Sequence, residues 1–142
     1  MPPDPEERIA IESDNDVVTA RQRARALAVT LDMTSTDQTL LATAISEVAR
    51  NITTYAKRGE VLLSVVHGDD GREGIQVIAR DEGPGIENVE LALQDGYTSG
   101  GGLGLGLPGA RRLVDDFNIE TAPGQGTTVT LVMWARPNAR AA

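Results

Sequence analysis

The order of elements along these 142 residues predicts an α+β fold: a two-layer α/β sandwich with helices on one face of a mixed, mostly antiparallel sheet. Three observations predict it. Two amphipathic helical patterns fill the early part of the chain, alternating apolar stretches follow in adjacent pairs, and a third helical pattern lies between the pairs. The length suits one domain with a proper core, expected over residues 8–136 between a short disordered lead, 1–7, and a tail, 137–142. No internal repeat or linker divides it.

In chain order, Arg8 to Glu12 (RIAIE) alternates like an edge strand. Ser13 to Asp16 offers capping residues for a helix from about Val17 to Leu31, with Val17, Ala20, Ala24, Leu27, Ala28 and Leu31 on one face. Its arginines, Arg21, Arg23 and Arg25, fall at the edges and outside. A second helix is expected from a capping box at Ser35 and Gln38 to about Ala56. Glu60 to His67 and Gly74 to Arg80 read as adjacent strands around a turn at Gly68 to Arg72. A helix from about Leu107 to Asp116 and a hairpin, Ile119 to Ala122 with Thr127 to Trp134, close the chain.

Composition narrows the function. A net charge of -8 argues against nucleic acid, which is held largely by phosphate neutralisation, but leaves room for a nucleotide bound by backbone N–H groups and Mg²⁺. With no cysteine, disulfides and thiolate metal sites are excluded. No apolar run approaches a membrane span, and MPPDPEER is unlike a signal peptide, so a cytoplasmic location is expected. Aromatics are scarce, so the core must be aliphatic. The one histidine, His67, ends an apolar strand and reads as structural.

Three segments carry chemistry. In LLATAISEVARNI the apolar stripe is Leu40, Leu41, Ala44, Ile45, Val48, Ala49 and Ile52. Asn51 falls inside its margin and Glu47 just outside, four apart on one face. On the helix alone, a polar boundary residue and a buried Asn satisfied by a carbonyl is the favoured reading. The functional reading is a hard oxygen ligand for Mg²⁺ beside a general base. Next, ARDEGPGI places Asp81, Gly83 and Gly85 as D-x-G-x-G at a strand end. There a carboxylate can accept from an exocyclic amino group and the glycines admit a planar ring, although an acidic turn has the same composition. Finally, GYTSGGGLGLGLPGARRL has seven glycines among the fourteen residues from Gly96 to Gly109 and runs into a helix. Interleaved Leu103, Leu105 and Leu107 are unlike a solvated linker, and exposed N–H groups at a helix start suit an anion. Pro108 fits the first turn. The spacing is neither a P-loop nor a dinucleotide fingerprint.

E-x-x-x-N on a helix, D-x-G-x-G after a strand and a G-x-G loop entering a helix together resemble the N, G1 and G2 boxes of the GHKL (Bergerat-fold) ATPases and kinases, from about Ile9 to Trp134. TSTDQTLLATAISEVARNI, RDEGPGI and GGGLGLGLPGARRLVDDF are similar to the RsbT-type serine/threonine switch kinases of the stressosome, with the anti-sigma-factor kinases as cousins. The resemblance implies ATP and Mg²⁺ as cofactors. Asn51 would coordinate Mg²⁺, Glu47 would be the catalytic base, and Asp81 would bind the adenine amino group. Gly83 and Gly85, with Ile86, would shape the adenine pocket. Gly102, Gly104 and Gly106, with Leu103 and Leu105, would wrap the phosphates as part of a mobile lid over about Glu87 to Leu105. Thr127 would help hold adenine through its hydroxyl. Lys57, Arg111 or Arg112 could approach the phosphates, and the sequence does not choose among them; the favoured reading puts Arg111 and Arg112 on a solvated helix face.

The implied substrates are STAS-domain scaffold or antagonist proteins, with a downstream phosphatase or cyclase engaged after release, no nucleic acid and no membrane. Arg21 matches an exposed arginine used by the anti-sigma relatives for partner contact, against the plainer reading of a solvated face. A histidine autokinase would need a phosphoacceptor His on a dimerisation helix, and a gyrase- or MutL-type ATPase a transducer domain. The competing function is an anti-sigma-factor-like ATP-binding module that sequesters a partner, with phosphorylation secondary.

Overall fold

The computed structural model describes residues 6–56, 58–84 and 106–135. Strand β1 (Glu7–Ile11) leads into helix α1 (Asp14–Thr30) and helix α2 (Ser35–Tyr55). The hairpin β2 (Gly59–His67) and β3 (Glu73–Asp81) follows, then α3 (Gly106–Leu113), β4 (Asp116–Thr121) and β5 (Thr127–Trp134). The sheet order is β1-β2-β3-β5-β4. Every described pairing is antiparallel, in line with the mostly antiparallel sheet expected from the sequence, and the parallel pairing of a mixed sheet does not occur among the described residues. β5 lies between β3 and β4, which places the starts of the last two strands' shared turn beside the end of β3.

Period-two patterning fixes which sheet face is covered. Ile9, Ile11, Val61, Leu63, Ile75, Val77, Ala79, Val129, Leu131 and Met133 are buried in the core beneath the helices. The core is aliphatic, as the composition requires: the largest fully buried side chains are all Ile, Leu or Val. α1 contributes Val17, Ala20, Ala24 and Ala28, a narrow small-residue stripe that lets the helix lie close. α2 is the central helix, packed against α1, α3 and the sheet, and it buries residues on more than one side. His67 sits exposed at the end of β2, its Nδ1 3.8 Å from Glu73 Oε2 on β3.

Element ends differ from expectation for identifiable reasons. β1 begins at Glu7, the last residue of the expected lead, and Glu7 pairs with Leu63 while its carboxylate meets Arg23 at 3.0 Å. α1 starts at Asp14 because Asp16 Oδ2 accepts from the backbone N–H groups of Glu12 and Ser13. α2 is capped one residue earlier than the Ser35–Gln38 box. Thr34 Oγ1 accepts from Asp37 N–H at 3.1 Å, and Gln38 instead donates its amide to Met33 O. The same spacing exists at Thr34 and Asp37, and the carboxylate suits the positive end of the helix. α3 stops at Leu113 and β4 starts at Asp116, because Asp115 and Asp116 are held by β5. Asp115 Oδ2 accepts from Trp134 N–H at 2.7 Å, and Asp116 Oδ2 from Trp134 Nε1–H at 3.2 Å.

Candidate nucleotide site

The second half of α2, the end of β3, the start of β5 and the first turn of α3 carry the described candidate residues. Glu47 is only 8% exposed, whereas Asn51, one turn later, is half-buried. Periodicity gave the opposite order, with Asn51 nearer the core. The reason is α3: it packs across α2 and covers Glu47, a contact between residues 59 apart that helix phase cannot reveal. Glu47 Oε2 accepts from Gly106 N–H at 2.8 Å, and Oε1 lies 3.5 Å from Arg50 Nη1. Gly106 has φ +64, which admits glycine readily and turns its N–H toward the carboxylate.

At the sheet end, Asp81 is in register with Gly59 on one side and Thr127 on the other. Its Oδ1 accepts from Gly83 N–H at 2.8 Å. Burial raises the Asp81 carboxyl above its ordinary value, partly offset by hydrogen bonds from the backbone of Gly83 and Thr127. Two glycines make the close approach possible. A Cβ on Gly83 would come within 2.6 Å of Ala56 Cβ at the end of α2, and one on Gly126 (φ +77) would run into the Asp81 carbonyl. Gly124 N–H donates to Pro84 O at 2.7 Å, tying the β4–β5 turn to the D-x-G-x-G corner.

Thr127 is buried, its Oγ1 2.9 Å from Thr121 Oγ1. Thr121 gives its one hydroxyl proton to Gly126 O, so Thr127 is the donor between the two threonines. Arg111 and Arg112 lie on the exposed side of α3, the solvated-face reading. Arg21 is half-buried on α1, on no element that carries the other candidates. Gly85, Ile86, Gly102, Leu103, Gly104, Leu105, Lys57 and the expected lid, Glu87 to Leu105, lie outside the described residues. Sequence reasoning missed Arg50, Thr121 and the bond from Gly106 N–H to Glu47, having assigned Gly106 to the phosphates. Arg50 was findable from its three-residue spacing to Glu47; the other two depend on hairpin register and on long-range packing.

These features fit a nucleotide. A carboxylate whose burial disfavours its charge gains from a donor such as an exocyclic amino group, beside two glycines too closely packed for any side chain. Asn51 offers a hard oxygen a turn from a shielded carboxylate.

The family model for the Histidine kinase-, DNA gyrase B-, and HSP90-like ATPases (HATPase_c) matches residues 36–137. The serine/threonine-protein kinase RsbT of Bacillus subtilis is 41% identical over 90% of this chain and 96% of its own length. The anti-sigma F factor of Caldanaerobacter subterraneus is 31% identical over 84% of this chain and 85% of its own. The chain belongs to this ATPase family, with RsbT-type serine/threonine kinases among its relatives. In fold it resembles the structure of the RsbU and RsbW domains of a Mycobacterium tuberculosis protein, with TM-score 0.62 at 23% identity over 94% of this chain and 33% of that one. The mycobacterial sensor histidine kinase MprB gives TM-score 0.55 at 19% identity over 94% of this chain and all of that one.

Proposed function

We propose that this chain is an ATP- and Mg²⁺-dependent serine/threonine protein kinase acting on STAS-domain scaffold or antagonist proteins as a cytoplasmic partner switch. The observation that carries the reading is Glu47: a shielded carboxylate at the first turn of α3, one helical turn before Asn51. The name of the RsbT relative supports transfer to serine or threonine, and among the described residues no helix is long and apolar enough to cross a membrane.

Bound ATP supplies the phosphoryl group, and Mg²⁺ neutralises the charge on its phosphates. The chain's own residues position and activate. Asp81 accepts from the adenine amino group, while Gly83 and Gly126 let the base approach the backbone and Thr127 flanks it. Asn51 would hold the metal through its side-chain oxygen, a hard ligand of the kind Mg²⁺ takes. Glu47 takes the proton from the acceptor hydroxyl as that oxygen bonds to the γ-phosphorus and the bond to the bridging oxygen of the leaving ADP breaks. Gly85, Ile86, Gly102, Leu103, Gly104, Leu105 and Gly106 complete the nucleotide contacts by analogy with the family boxes. Residues 8–136 form the single nucleotide-binding unit. After transfer, release from the phosphorylated substrate frees the kinase for a downstream phosphatase or cyclase. Arg21, on α1, contacts the partner protein.

Incubating the protein with purified STAS-domain proteins and γ-labelled ATP tests the reading. Label on Ser or Thr of one of them supports it. A tight ATP-dependent complex without transfer would instead favour a sequestering module.

A further inference from the structure

We infer that Arg50 is a positioning residue that orients the Glu47 carboxylate for proton transfer, a role that rests on the kinase reading above. The two oxygens of Glu47 have different donors. Oε2 is held by a backbone N–H, that of Gly106 at 2.8 Å, and Oε1 faces Arg50 Nη1 at 3.5 Å. A single anchor at Oε2 leaves the carboxylate free to swing about that bond. A second donor facing the other oxygen restricts that swing. An ionised carboxylate has about four lone-pair sites, so two donors leave others open to receive a proton.

The helix sets the direction of this clamp. Viewed down α2, Arg50 lies ~60° to one side of Glu47 and Asn51 ~40° to the other. Arg50 therefore approaches the carboxylate from the side away from Asn51, where the nucleotide is proposed to bind. The pair is asymmetric: the Glu47 side chain is 9% exposed and that of Arg50 is 53% exposed. Exposed ion pairs contribute little to folding. What Arg50 supplies is a charged donor beside a base that must be held in place. Small misplacements of a reacting group are costly in rate, ~10²-fold for 1 Å.

The experiment compares Arg50→Ala, Arg50→Lys, Glu47→Gln and the double variant Arg50→Ala/Glu47→Gln. Single-turnover transfer from labelled ATP to a purified STAS-domain protein is measured beside Mg·ATP affinity by calorimetry. The expected result is an about tenfold slower transfer in Arg50→Ala at unchanged ATP affinity and melting temperature, with most of the rate restored by lysine. In the Glu47→Gln background, removing Arg50 should change nothing further, since its effect acts through that carboxylate. Undiminished transfer, a further loss in the double variant, or a fall in ATP affinity that accounts for the whole effect would overturn the proposal; the last would make Arg50 a phosphate ligand. If the wild type labels no STAS-domain protein, the kinase reading fails by itself, and the clamp is read from side-chain NMR. Slowed rotation of the Arg50 guanidinium that quickens in Glu47→Gln supports the contact, and equal rotation in both overturns it.

Discussion

At Asp81, stability is set against the binding role proposed for it. Its carboxyl titrates above its ordinary value because burial disfavours the charged form, more than the Gly83 and Thr127 backbone bonds favour it. The folded chain therefore keeps this proton to higher pH than the unfolded chain. Stability falls as pH rises from the ordinary value of 3.8 toward the raised one, and the deficit persists above it. Asp81→Asn keeps an acceptor for Gly83 N–H and removes the buried charge. Thermal melts across that pH range should show the decline weakened in the variant and its melting temperature at neutral pH equal to or above that of the wild type, while ATP affinity drops. Glu47 and Asn51 separate differently. Glu47→Ala is expected to keep ATP affinity and lose transfer by roughly 10²–10⁴-fold, as for a general base. Asn51→Ala should weaken Mg·ATP itself, which titration with and without the metal can read.

At the scale of elements, α2 decides both the core and the site. Ile45 is fully buried in it, so Ile45→Ala should cost about 2–5 kcal/mol, measurable by urea unfolding. Gly126→Ala should destabilise for a different reason, since both its φ of +77 and the space beneath the Asp81 carbonyl exclude a side chain. Calorimetric melts of that variant would show a lowered transition without any change in the acidic or basic residues. α2 also shows where sequence reasoning stops. Its apolar stripe was legible because 3.6-residue periodicity records what one face meets: Leu41, Ala44, Ile45, Val48, Ala49 and Ile52 are all buried. Glu47 was placed outside that stripe because α3, not the sheet, covers it. The helix starts one residue earlier than the sequence suggests because Thr34 and Ser35 offer the same capping chemistry, and the structure places Thr34, not Ser35, at the cap that accepts from Asp37 N–H.

Across the whole molecule, the layers follow from pattern, and their order follows from topology. Alternation marks β2, β3 and β5, while β4 starts earlier than its alternation suggests, because its first residues, Asp116 and Phe117, sit beside a helical pattern yet pair with Val132 and Leu131. No local signal says that β5 inserts between β3 and β4, yet this insertion brings Thr127 into register with Asp81. The three motif segments are recognisable by spacing, and the fold brings their described parts close to one another. The end of α2 packs on the Gly83 corner through Ala56, and the start of α3 returns to Glu47. Charge works at this scale too. A chain of net charge -8 would hold a polyphosphate against its own field only with local devices, such as backbone N–H groups and the metal proposed above. The most direct test is a calorimetric titration of the protein with ATP in the presence of Mg²⁺. The account predicts saturable binding at one site per chain, weakened at least ~10-fold, or 1.4 kcal/mol, by Asn51→Ala and by Asp81→Asn. No binding by the folded wild type, or equal affinity in both variants, would contradict it.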